Sequence, residues 1–189
     1  MKSKILFILI FVLSFSCRTI AETRTDSRKH REIKNGTFKI VIPDNDIKAN
    51  FIGKIIEFKL NKRGFTKEEV NPQFLISTAY TVNNSREIRK ANSYTNTYGY
   101  TNTTYSSTQL YFKNLALIIT DTKGTPIWEG QSTEEGWCPN IISTAPELVV
   151  SIFNQFPNDS INKRQSYTIF NEETKEIRNY FKDTDWSCD

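Results

Sequence analysis

The chain has 189 residues, 38% of them hydrophobic and 24% charged, which suits one globular domain with its own core and excludes wholesale disorder. Its net charge of +4 is concentrated near the start: residues 18–36 carry six basic groups against three acidic ones. From Thr37 onward the chain is close to neutral, which is no electrostatic footprint for nucleic acid.

Met1-Lys-Ser-Lys4 is a short basic head, and Ile5 to Phe15 is an unbroken apolar run. That pairing has the form of an export signal over residues 1–16, and the run is shorter than the roughly 20 residues a helix needs to span a bilayer. Two processing routes fit. In the first, cleavage at the Ser16–Cys17 junction exposes Cys17 for acylation. Palmitate-like chains then hold the protein to a membrane, each buried methylene contributing about 0.8 kcal/mol. Arg18, standing where an Asp would favour the inner membrane, then points to the outer membrane, with the protein facing the periplasm. In the second route cleavage follows Ala21 and yields a periplasmic or secreted protein. Residues 17–36 are polar, charged and without apolar period, and are expected as a tether.

Order is expected from Phe38, where Phe38, Ile40 and Ile42 alternate as in a half-buried strand ended by Pro43. Asp44 and Asp46 offer helix caps before Ile47, Phe51, Ile52, Ile55, Ile56 and Leu60, which fall at helical spacing, and Gly64 closes the segment. Asn71-Pro72 turns into a second strand, Phe74–Val82. Residues 92–107 hold Tyr94, Tyr98, Tyr100 and Tyr105 among Asn, Thr, Ser and Gly; with no periodic apolar face, they are expected as a long loop or a polar hairpin extension. A third strand from Gln109 to Thr120 turns at Asp121–Gly124 into a fourth beginning at Pro126. Thr144-Ala-Pro-Glu147 reads as the capping box of a second helix whose face is Leu148, Val149, Ile152, Phe153 and Phe156. A further strand around Tyr167 and a short polar helix over about 172–181 fall in a C-terminal extension, 158–189. The domain proper, 37–157, is expected to be α+β: an antiparallel-rich sheet with two amphipathic helices packed on one face.

These phrases, taken in order, resemble a bacterial lipoprotein family, the domain of unknown function 4136. They are Lys62-Arg-Gly-Phe65, then Asn71-Pro-Gln-Phe-Leu-Ile-Ser-Thr78, then the Tyr-containing polar stretch. Leu115-Ala-Leu-Ile-Ile-Thr-Asp-Thr-Lys-Gly-Thr-Pro-Ile-Trp-Glu-Gly130 and a helix ending Phe156-Pro157 complete the set. The resemblance spans about residues 38–157 and implies an exported, usually lipid-anchored α+β domain with no catalytic residues assigned to it.

Little in the chain promises a reaction. His30, the one histidine, falls in the expected tether, so a Ser-His-Asp or Cys-His device has no base inside the domain. The three cysteines have no metal-ligand spacing, so neither metal nor cofactor is expected. The acidic pairs Glu68-Glu69, Glu134-Glu135 and Glu172-Glu173 are the raw material for acid–base work. Glu134 and Glu135 stand out because they lie between Trp128 and Trp137, where a raised pKa would suit glycan hydrolysis. The plainer reading, a solvated acidic loop after a strand, is the one expected. Trp128 is expected in the core against the second helix. Cys138 and Cys188 are expected to form a disulfide, since export carries them to an oxidising compartment, and the bond would bring Trp137 and Trp186 together.

The expected function is a non-catalytic envelope lipoprotein acting as an adaptor or binding module for another envelope component, protein or glycan. Tyr94, Tyr98, Tyr100 and Tyr105 serve as its candidate binding surface. A hydrolase using Glu134 or Glu135, and a secreted interaction protein without an anchor, are the alternatives.

Overall fold

The structure, a computed structural model, describes residues 19–43 and 45–188; the expected signal segment and Cys17 lie outside the described residues. Seven strands form one mixed sheet: β1 (Thr19–Lys29), β2 (Thr37–Val41), β3 (Thr66–Lys67), β4 (Phe74–Thr95), β5 (Thr101–Asp121), β6 (Pro126–Gly136) and β7 (Ser160–Thr168). Three helices accompany it: α1 (Ile47–Lys62), α2 (Ile141–Gln155) and α3 (Glu172–Tyr180). The strands lie in the order β3-β2-β4-β5-β6-β1-β7. β2 runs parallel to β3 and β4, and the other pairs are antiparallel. The α+β class and the antiparallel majority are as expected.

The stretch expected as a tether is, over Thr19–Lys29, a full strand between β6 and β7. The reason lies in its alternation. Ala21, Thr23, Thr25 and Ser27 are buried under the helix layer, while Glu22, Arg24, Asp26 and Arg28 face outward. The inward residues are small because α2 lies directly over them, and the Thr23 and Thr25 hydroxyls are 2.7 and 2.5 Å from Ser151 Oγ. His30 follows the strand rather than lying in free chain: its backbone N–H donates to Ile127 at 2.8 Å and its ring reaches Glu129 at 3.2 Å.

Helix α1 opens on Asp46, whose Oδ1 accepts from the Ala49 N–H at 2.9 Å, and buries Ile52, Ile55, Ile56 and Leu60. Helix α2 starts earlier than the Thr144 capping box expected of it. Asn140 is its N-cap, accepting from the Ile142 N–H at 3.1 Å, and Pro146 lies within the helix. Glu147, with no capping role, is left for an ion pair described below. Leu148, Val149, Ile152 and Phe153 join Leu115, Leu117, Ile119 and Trp128 in the core. The C-terminal extension is built into this body: β7 completes the sheet beside β1, and α3 rests on α1 through Phe58, Tyr180 and Phe181.

Trp128 packs at right angles to Phe156 with ring centroids 5.0 Å apart. Its indole also lies over Gly130, two residues along the same face of β6, where a Cβ would come 2.3 Å from the ring. The Trp-x-Gly phrase is therefore one packing unit.

Strands β4 and β5 outrun their neighbours. β2 pairs with β4 only from Phe74 to Ser77, and β6 leaves β5 at Tyr111. Past an irregularity between Asn84 and Glu87, a two-stranded arm continues from Glu87↔Gln109 to Thr95↔Thr101, roughly 30 Å at about 3.3 Å per residue. The Asn96 side chain closes it, accepting from the Tyr98 and Tyr100 N–H groups at 3.0 Å, while Gly99 supplies a φ of +81°. The polar stretch is thus a hairpin extension, not a loop.

Candidate functional site

At the foot of the arm a cleft of about 730 Å³ opens between the start of β1, the middle of β5, the end of β6, the start of α2, α3 and the C-terminal segment. Its construction follows from the sheet register. Lys113 and Glu134 are direct cross-strand partners on the helix-facing side of β5 and β6, and Thr23 on β1 continues the row. A lysine and a glutamate thus occupy positions that one turn of the pleat further along hold Leu115 and Ser132.

Both are buried: the Lys113 side chain is 0% exposed and that of Glu134 4%. Their charged groups lie 2.8 Å apart, yet neither Lys113 Nζ nor Glu134 Oε2 completes an aligned hydrogen bond among the described residues. Burial pushes the Glu134 carboxyl above the usual carboxylate range, against the opposing pull of Lys113. The expectation of a solvated acidic loop is corrected here, because both glutamates lie on β6. Adjacent residues of a strand face opposite ways, so Glu134 looks into the helix layer and Glu135 does not. Glu135 is held by the Ser85 hydroxyl and, at 3.0 Å, by Arg86, both at the base of the arm. The Ser85 hydrogen bond, with Arg86, lowers its pKa.

A second ion pair braces the far wall. Arg178 of α3 donates to both carboxylate oxygens of Glu147 at 2.7 and 2.9 Å and to the Ser143 carbonyl at 3.0 Å. The same guanidinium lies 4.8 Å from the Trp186 ring centre. The Cys138–Cys188 disulfide, with Cα atoms 5.2 Å apart, ties the C-terminal segment to the residues ahead of α2. Trp137 and Trp186 both line the cleft, Trp137 at its rim with 65% of its surface exposed. Sequence reasoning foresaw the disulfide and the two tryptophans. It missed Lys113, which in an alternating strand reads as one more outward charge, and Arg178, which only the fold of the extension brings in. Among the described residues no three His, Cys, Asp or Glu side chains converge as metal ligands.

Tyr94, Tyr98, Tyr100 and Tyr105 do not reach the cleft. They stand at the far part of the arm, 72–85% exposed.

The family model described as "Domain of unknown function (DUF4136)" matches residues 24–158. No curated protein matches the chain. Among solved structures, a PDZ domain protein from Parabacteroides distasonis is similar at 18% identity and a TM-score of 0.54, over 80% of this chain and 40% of that one. The present chain thus spans well under half of that protein, and the likeness is one of fold alone. Two PelC dodecamer structures from Paraburkholderia phytofirmans align at 13% identity with a TM-score of 0.42 (73% of this chain, 99% of that one) and at 14% with 0.39 (68% and 94%).

Proposed function

The chain belongs to the DUF4136 family, and from that premise we propose that it is a non-catalytic, lipid-anchored envelope protein that binds another envelope protein through the β4–β5 arm. The observation that carries the reading is the arm itself. A two-stranded ribbon contributes little to its own stability, and beyond Ser77 and Tyr111 neither of its edges is paired with a third strand among the described residues. Its two faces carry Ile88, Lys90, Asn92 and Tyr94 on one side and Arg89, Ala91, Ser93 and Thr95 on the other. Neither is apolar enough to face lipid. Polar edges with exposed tyrosines suit strand addition by a partner, where main-chain hydrogen bonds give affinity and the aromatic rings give contact area at low entropy cost.

The anchor draws support from β1. Cleavage after Ala21 would remove the start of a strand in which Ala21 is 3% exposed and paired with Tyr167. Processing at Cys17 leaves that strand whole.

A photocrosslinking residue at Tyr98 should give a discrete adduct in the native envelope. With that probe kept at position 98, replacing Tyr94, Tyr100 and Tyr105 together with Ser should abolish the adduct while leaving Tm within a degree or so, as exposed substitutions do. Loss of the fold in that variant, or an undiminished adduct, would refute the arm as the binding element. The raised pKa of Glu134 favours one rival reading, a glycan hydrolase. Against it, Glu134 is paired with Lys113 at 2.8 Å and Glu135 is held by Ser85 and Arg86, so both carboxylates are already engaged within the chain. Oligosaccharide turnover lost in Glu134→Gln or Glu135→Gln would overturn the non-catalytic reading.

A further inference from the structure

Two buried polar atoms without a hydrogen-bond partner among the described residues, Thr144 Oγ1 and Trp186 Nε1, belong to side chains that line this cleft, and the buried Lys113–Glu134 pair, with its charged groups 2.8 Å apart, lines it with them. Buried polar atoms are almost always satisfied, because one left bare gives up its bonds to water and gains none in return. Two in one cleft point to a group that arrives from outside. We propose that this cleft binds an uncharged sugar ring.

The argument is one of donor and acceptor types. Trp186 Nε1 can only donate, whereas Thr144 Oγ1 both donates and accepts. A ligand must therefore offer donors and acceptors side by side over a few ångströms, which is what vicinal hydroxyls do. An anion would meet Lys113 but also Glu134 and Glu135; a cation would meet those carboxylates but also Lys113 and Arg178. The positive and negative side chains are interleaved, so a neutral, hydrogen-bonding molecule is the one that none of them repels. Trp137 completes the fit. Its exposed indole at the rim gives a flat apolar surface on which the C–H face of a pyranose can lie. The volume falls in the ordinary range for small-molecule sites, about 300–1,000 Å³. The site is separate from the tyrosines of the arm, so it stands or falls independently of the protein partner proposed above.

The three tryptophans allow a test with an internal control. Trp128 is 0% exposed and donates its indole N–H to the Asn158 carbonyl at 3.3 Å, whereas Trp137 and Trp186 line the cleft. The full chain, purified in detergent, is titrated with glucose, galactose, N-acetylglucosamine and their β-linked oligomers while the indole N–H resonances are followed. Saturable shifts of Trp137 and Trp186 with Trp128 unmoved are expected for at least one neutral sugar. Trp137→Ala should weaken that binding about tenfold or more with Tm unchanged, and Thr144→Val provides an independent check from inside the cleft. Absence of any saturable shift, binding as tight in Trp137→Ala as in wild type, or saturation only by glucuronate or glucosamine would overturn the proposal.

Discussion

At the scale of single residues, the side chains with the most consequence are polar ones in several bonds at once. Asp121 is the clearest. It accepts from Arg31 at 2.7 Å and from the Lys123 and Thr125 N–H groups at 3.0 and 2.9 Å. It thereby closes the β5–β6 turn and fastens the chain leaving β1. The Arg31 hydrogen bond first, then that from the Thr125 backbone, pulls its pKa from 3.8 to about 2. A folded-state pKa below the unfolded value means that the contribution is complete above 3.8 and is lost as pH falls through about 2. Asp121→Asn should therefore lower the urea midpoint at neutral pH and flatten its decline over that acid interval. An unchanged acid limb in the variant would assign the acid sensitivity elsewhere. Single residues also explain why one sequence phrase reads so clearly: Trp128 needs the space above Gly130, so the pair announces a core position, and Trp128 is indeed in the core.

At the scale of elements, legibility depended on how much apolar surface each one buries. α1, β5 and the face of α2 were readable because Ile, Leu and Phe recur at their periods. β1 was not, although its alternation is strict, because Ala, Thr, Thr and Ser fill the inward positions and a pattern of small against charged residues looks like linker. The start of α2 was misplaced for a related reason. Thr144-Ala-Pro-Glu147 has the form of a cap, but Asn140 four residues earlier supplies the acceptor. The cleft was half legible: its cysteines and tryptophans stand out in the sequence, while a buried lysine in a strand gives no signal. The C-terminal segment leans on the disulfide, on the Arg178–Glu147 pair and on Phe51, Phe181 and Trp186. Cys188→Ser should cost about 4 kcal/mol by freeing a 50-residue loop in the unfolded chain. Faster hydrogen exchange in α3 than in α1 should accompany that loss. A variant as stable as wild type, by urea unfolding without reductant, would show that the packing alone holds the segment.

At the scale of the whole molecule, the position of β1 bears on both processing and assembly. Only Arg18 stands between Cys17 and the first residue of β1, so an acyl anchor at Cys17 would lie within about 7 Å of the sheet. The register brings the arm out at the same edge at which β1 begins; anchor and arm would then work in one plane. A fatty-acid probe should label wild type and not Cys17→Ala, and the mature protein should retain Ala21. An unlabelled protein beginning at Glu22 would refute this. The strand order also sets a timetable. β1 is the first of the described strands to be synthesised, yet both its neighbours, β6 and β7, come from residues 126–168. It can join the sheet only once β6 has been made, and contacts between such distant segments form slowly. If the chain is exported as proposed, the strand that leads the way is also one that cannot be paired until residues 126–136 have been made.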